Sequence, residues 1–280
     1  MEDRTDTLPA TTRIGRVALR VNDLDEMTDF YEGRVGLSVQ RRTAERAVLG
    51  ADDTPLLELF ADPGAALRGA SETGLFHTAF LFPTRGSLGA ALERVEADWR
   101  LDGASDHGVS EAVYCTDPEG NGVELYHDRP KEVWPIGPDG RVRMGSDRLA
   151  LDDLRAASTG DRVAPEGTTV GHVHLEVSSL AAARAFYVDA LGLRVRQTDD
   201  RSVLFLAAGG YHHHLGLNTW NGRTDPLSGR GLAWLELVVP DRTTLDAVGT
   251  RLGAETSVRD TDDGIEATGP DGVPLRVRIG

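Results

Sequence analysis

One cysteine and one lysine stand in 280 residues. With Cys115 alone, no internal disulfide can form and no cysteine-built zinc cage is available. Basic side chains are scarce as well: 30 Lys and Arg face 45 Asp and Glu, for a net charge of −15. A surface of that sign repels phosphates, so no nucleic-acid partner is expected. Nowhere do eighteen apolar residues run together, so no membrane-spanning helix is expected. The opening "MEDRTDTLPATTR" lacks the basic start and apolar run of a signal peptide, which points to a cytoplasmic protein. The length suffices for two domains, each with its own core.

What the chain does contain is a repeat. Residues 14–37, "IGRVALRVNDLDEMTDFYEGRVGL", align without gaps on 170–193, "VGHVHLEVSSLAAARAFYVDALGL". Gly15/Gly171, Leu19/Leu175, Phe30/Phe186, Tyr31/Tyr187 and Gly36/Gly192 coincide. Each copy reads as an alternating strand, an amphipathic helix with "FY" on its apolar face, and a glycine exit. A second pair, 74–88 and 231–245, opens the same way, and short apolar strands follow every unit. The pattern predicts four βαβββ units in an α+β protein. In chain order, residues 10–128 form a first domain (units one and two) and 169–280 a second (units three and four). A Pro/Gly- and charge-rich connection, 129–168, lies between them.

Strand, helix and three strands, opening on V-x-[DS]-L and running into "FY…LG", resemble the vicinal oxygen chelate superfamily of glyoxalases, bleomycin-resistance proteins and extradiol dioxygenases. The resemblance covers almost the whole chain outside the connection. It implies that two units pair edge to edge, curling eight strands around a half-open, metal-sized cavity. Ligands in that superfamily come from the opening and closing strands of each unit. The opening strands offer Arg16, His77, His172 and Trp234, and the closing strands Glu58, Glu124, Gly216 and Arg276. Two arginines and an indole cannot ligate a cation, so units one and four make a metal-free counterpart, with Glu58 paired to Arg16 or Arg276. Units two and three hold His77, Glu124 and His172. Two imidazoles and a carboxylate are the facial triad of non-haem Fe(II), and Mn(II) suits the same ligands. Neither half of the chain carries all three, so the competent cavity is expected between units two and three.

The run "SDHGVSEAVYCTDPEGNGVELY" (105–126) resembles the signature of extradiol ring-cleavage dioxygenases, through His107, Val113-Tyr114, Asp117-Pro118, Gly120 and Glu124. Ser105 departs from that signature. As a whole the chain is similar to two-domain bacterial catechol 2,3-dioxygenases. That likeness implies a Tyr114 hydroxyl bonded to a ligated substrate oxygen, with His107 beside the substrate. In "GGYHHHLGLNTWNG" (209–222), strand alternation puts His212 and His214 on one face and His213 on the other. The family's acid–base histidine stands in a strand that reads here as "HHHLGL" and points to His213, with His214 next; a bulge would reconcile the two readings. Asn218 and Trp220 are expected to line the pocket, Trp220 by stacking on an aromatic ring.

The function implied is extradiol cleavage of a catechol by O2, with a small aromatic diol and O2 as partners. Oligomeric state is left open, a homo-oligomer included. Two alternatives stand beside this reading. One is a glyoxalase-like metal-dependent isomerase or transferase, which would want a fourth ligand where Gly216 stands. The other is a metal-free small-molecule-binding protein of the same fold.

Overall fold

The computed structural model describes residues 7–199 and 201–280. Four βαβββ units follow one another. Unit one is β1 (Arg13–Val21), α1 (Leu24–Phe30), β2 (Ser38–Arg42), β3 (Arg46–Ala51) and β4 (Thr54–Ala61). Unit two is β5 (Gly74–Leu81), α2 (Arg85–Asp98), β6 (Gly103–Asp106), β7 (Ser110–Thr116) and β8 (Gly122–Asp128). After a connection carrying α3 (Leu151–Ala156), unit three is β9 (Thr169–Glu176), α4 (Leu180–Arg184), β10 (Arg194–Thr198), β11 (Val203–Ala207) and β12 (Leu215–Asn218). Unit four is β13 (Gly231–Val239), α5 (Arg242–Gly253), β14 (Val258–Asp260), β15 (Gly264–Thr268) and β16 (Pro274–Ile279). Among the described residues no helix is long and apolar enough to cross a membrane.

Local chemistry sets the helix ends. Asp23 caps α1 by accepting from the Asp25 and Glu26 N–H groups, and Thr84 with Ser87 forms a capping box on α2. Both α1 and α4 widen into a π-helical turn that carries the "FY" pair into the core, burying Phe30, Tyr31, Phe186 and Tyr187. Each then exits on a left-handed glycine, Gly36 at φ 86° and Gly192 at φ 98°, which a side chain would strain.

The strands make two eight-stranded sheets, β14-β15-β16-β13-β1-β4-β3-β2 and β10-β11-β12-β9-β5-β8-β7-β6. Units one and four therefore share one sheet, and units two and three the other. The halves 10–128 and 169–280 each give one unit to each sheet, so the sheets cut across the division drawn from chain order. In the second sheet β5 runs antiparallel to β9 and parallel to β8, so that Ala79 lies between Glu124 on one side and His172 on the other. One continuous core packs the two sheets together.

The unit one and four sheet carries ion pairs at the equivalent positions. Arg16 meets Glu236 at 2.6 Å, Arg46 meets Glu58 at 2.5 Å, and the Arg276 guanidinium lies 4.1 Å from the Trp234 ring centroid. Glu58 also faces Arg16 at 3.7 Å, as expected, whereas Arg276 turns to Glu266 at 2.8 Å.

The connection does more than join units. Asp106 bridges to Asp147, the Gly145 N–H donates to the His107 carbonyl, and the Met144 N–H donates to Gln197 Oε1 at 2.6 Å. It thus lies across the open end of units two and three.

Close packing at the seam gives a test. A Cβ on Gly171 would stand 1.7 Å from the Tyr126 hydroxyl oxygen. Gly171→Ala is expected to cost about 1–3 kcal/mol in urea denaturation, the usual range for overpacking. The same change in a Tyr126→Phe background should cost less, since the hydroxyl it strikes is gone.

Candidate metal centre

His77 rises from β5, His172 from β9 and Glu124 from β8, all buried. The Nε2 atoms of His77 and His172 lie 3.0 and 3.1 Å from one and the same oxygen, Glu124 Oε2. One ligand atom from each of the three falls within 4.8 Å of the others. Two cis ligands at about 2.1 Å from an octahedral cation stand about 3 Å apart, so these separations match such a shell. His77 Nε2 is buried without a well-formed hydrogen bond. An imidazole nitrogen left so, next to a carboxylate, fits a divalent cation better than it fits a hydrogen-bonded pair.

The three face a cavity of 510 Å³ lined by Phe76, Val109, Tyr114, Met144, Phe205, His213 and Trp220, among others. Tyr114 lies opposite Glu124 on β7, and its hydroxyl meets His107 Nε2 at 2.6 Å. His107 Nδ1 is tied at 2.7 Å to the Gly145 carbonyl of the connection. Trp220, half-exposed, stands at the rim with its ring edge-on to Phe76 at 5.5 Å.

Three expectations need correction. Residues 212–214 are not strand: β12 begins only at Leu215, so alternation does not govern the histidines and no bulge is needed. His213 turns to the cavity, its ring 4.0 Å from that of His172. His214 does not line the cavity; its Nδ1 accepts the Ala208 N–H at 3.2 Å and its ring packs on Tyr211. Asn218 is likewise buried off the cavity, its Oδ1 accepting the Trp220 N–H at 3.1 Å, so it supports the turn that carries Trp220.

Sequence reasoning missed His174. Two residues beyond His172 it shares the inward face of β9, its ring 5.0 Å from that of His77 and its Nε2 buried without a partner. A Cβ on Gly216 would come within 2.9 Å of the His174 ring. Gly216, opposite His174 in the β9–β12 register, thus gives space to an imidazole. The strand period carried this signal.

Comparison with known proteins places the chain in a family. The family model described as Glyoxalase/Bleomycin resistance protein/Dioxygenase superfamily matches residues 13–125 and 169–276. A catechol-2,3-dioxygenase of Bacillus subtilis (strain 168) is 38% identical over 268 residues, covering 92% of this chain and 94% of that protein. A biphenyl-2,3-diol 1,2-dioxygenase of Rhodococcus globerulus is 34% identical over 125 residues, 43% of this chain and 66% of its own. Among solved structures, glyoxalase I from Zea mays shares the fold at a TM-score of 0.59 and 17% identity, covering 96% of this chain and 92% of that one.

Burial controls the charge of the cluster. It lowers His172 to about 4, against an opposing pull from Glu124, and lowers His214 to about 3. His174 and His213 are pushed well below the usual imidazole range, first by burial and then by neighbouring imidazoles. For Glu124, burial acts upward, but His172 and His77 outweigh it and hold the carboxyl well below its ordinary value. A carboxylate beside imidazoles that burial holds back from protonation, His172 and His174 among them, attracts a cation.

Four imidazoles with depressed pKa values bind protons in the unfolded chain before the folded one, so stability is full above about pH 6.5 and falls toward pH 4. The limiting slope for four such groups is about 5 kcal/mol per pH unit. Urea denaturation of metal-free protein at pH 7 and 5.5 should show a loss of several kcal/mol; equal stability at the two values would contradict the burial of neutral histidines.

Proposed function

From the premise that this chain belongs to the Glyoxalase/Bleomycin resistance protein/Dioxygenase superfamily, we propose that it is an extradiol dioxygenase. It cleaves catechol or a substituted catechol with O2 at a cation held by His77, Glu124 and His172, and Fe(II) is the ion assigned. The observation that carries this reading is the convergence of two imidazole nitrogens from different halves of the chain on a single carboxylate oxygen. The homology to catechol and biphenyl-diol dioxygenases supports the reaction class. Gly216 argues against a glyoxalase-like reading, since its strand position offers no fourth ligand and a side chain there would strike His174.

Fe(II), when held by His77, Glu124 and His172, would supply Lewis-acid binding of the diol and a path for electrons from the diol to O2. The protein's own groups do the rest. His213, neutral through burial, accepts a proton from the catechol hydroxyl and returns it later in the cycle. The Tyr114 hydroxyl, whose proton meets His107 Nε2 while His107 Nδ1–H meets the Gly145 carbonyl, lines the cavity opposite Glu124 and turns that proton to a substrate oxygen as charge develops there. Burial, then the Glu124 charge, pushes the Tyr114 pKa well up, so it stays protonated as a donor. Phe76, Phe205 and Trp220 give the ring apolar walls, and Met144 and Gly145 of the connection close the far side.

Anaerobic reconstitution with Fe(II), followed by catechol and O2, should give the yellow ring-opened semialdehyde. Activity with Mn(II) in place of iron would change the assigned ion but keep the ligand set. His77→Ala or His172→Ala should lose iron and turnover together, read by metal analysis beside the assay. His213→Ala should keep its iron while turnover falls about 10²–10⁴-fold; full turnover would remove His213 from proton transfer.

A further inference from the structure

The histidine run holds a feature that the reaction above does not use. His212 is fully buried and off the cavity, boxed by the rings of Trp134, Tyr126 and Tyr211. Its Nε2 lies 2.8 Å from Asp128 Oδ1, and its Nδ1 lies 2.8 Å from Nδ1 of His213. Three side chains thus form one hydrogen-bonded line running from β8 to the cavity wall. We propose that Asp128 and His212 are positioning residues that hold His213 in the tautomer protonated on Nδ1, leaving a bare Nε2 for the substrate.

The direction of the bonds follows from what each group can do. A carboxylate only accepts, so His212 must place its proton on Nε2 to meet Asp128. Where that is the one proton on His212, its Nδ1 carries a lone pair, and the contact to His213 closes only if His213 donates from its own Nδ1. His213 Nε2 has no hydrogen-bond partner among the described residues, and the ring lines the cavity beside His172. A nitrogen without a proton at that place can receive one from a catechol hydroxyl, whereas a protonated one cannot. Free imidazole favours neither nitrogen strongly, so without this line the productive form would be only one of two. The fixed elements are well anchored. Asp128 ends the strand that carries Glu124 four residues earlier, and the Tyr126 hydroxyl between them bonds that of Tyr211 at 2.8 Å.

This inference rests on His213 being the proton acceptor of the proposed reaction. Its first test needs no metal: in the metal-free protein labelled with ¹⁵N-histidine, His213 should show Nδ1–H and an unprotonated Nε2. His212→Leu removes the acceptor, so the tautomer should redistribute. In the Fe(II) enzyme kcat should then fall about 10- to 100-fold, with KM for catechol and iron content unchanged. In His212→Asn the side-chain oxygen occupies the place of Nδ1, so the Nδ1–H tautomer and most of kcat should return. A wild-type His213 protonated on Nε2, or a His212→Leu enzyme with unaltered tautomer and kcat, overturns the inference. The two readings separate cleanly. Ring cleavage with an Nε2–H tautomer defeats the inference alone, while absence of ring cleavage in the wild-type Fe(II) enzyme defeats the dioxygenase reading and with it the role given to the tautomer.

Discussion

The antiparallel pairing of β5 with β9 is the constraint on which the rest depends. It joins strands from opposite halves of the polypeptide, sets His77 across from His174, and places His172 beside the Ala79 that also borders Glu124. Side chains alternate along a strand, so a slip of one residue in this register would turn the imidazoles of one strand to the far face. The seam is defended against that slip. Gly171 of β9 admits the Tyr126 hydroxyl from β8, on the other side of β5, a contact that a shifted register could not keep.

The two sheets are variations on one arrangement with opposite electrostatics. Equivalent strand positions hold His77, His172 and Glu124 in one sheet and Arg16, Trp234 and Glu58 in the other. Where the first leaves imidazole nitrogens buried without partners, the second carries Arg16–Glu236 and Arg46–Glu58 pairs. Paired ions offset one another's charge, while Glu58 Oε2 and Trp234 Nε1 stay buried without a hydrogen bond. Imidazoles that burial holds back from protonation leave the Glu124 charge to attract a cation. The core of this sheet is continuous with that of its neighbour.

Repetition made the fold legible. Coincident glycines and "FY" pairs mark the units, and the strand positions at which the superfamily places its ligands single out His77, Glu124 and His172. Legibility ended where chain geometry stopped being periodic. His212 to His214 read as strand because alternating apolar residues follow them, yet the backbone enters β12 only at Leu215. Once these three lie in a loop, each ring is aimed by its own hydrogen bonds, which separates His213 from His214. His174 is legible from the strand period, since residues two apart share a face, whereas the space that Gly216 gives its ring depends on the β9–β12 register. The connection gave no warning that Met144 and Gly145 border the cavity, because its contacts to His107 and Gln197 are long-range.

That the three candidate ligands are split between the halves has a thermodynamic corollary. An ion gripped by all of them is a cross-link between residues 77 and 124 on one side and residue 172 on the other. Its binding free energy adds directly to the cohesion of a junction formed late along the chain, by RT ln(1 + [M]/Kd). Neither half carries all three ligands, so an ion that needs the full set is held only after the distant parts of the polypeptide have met.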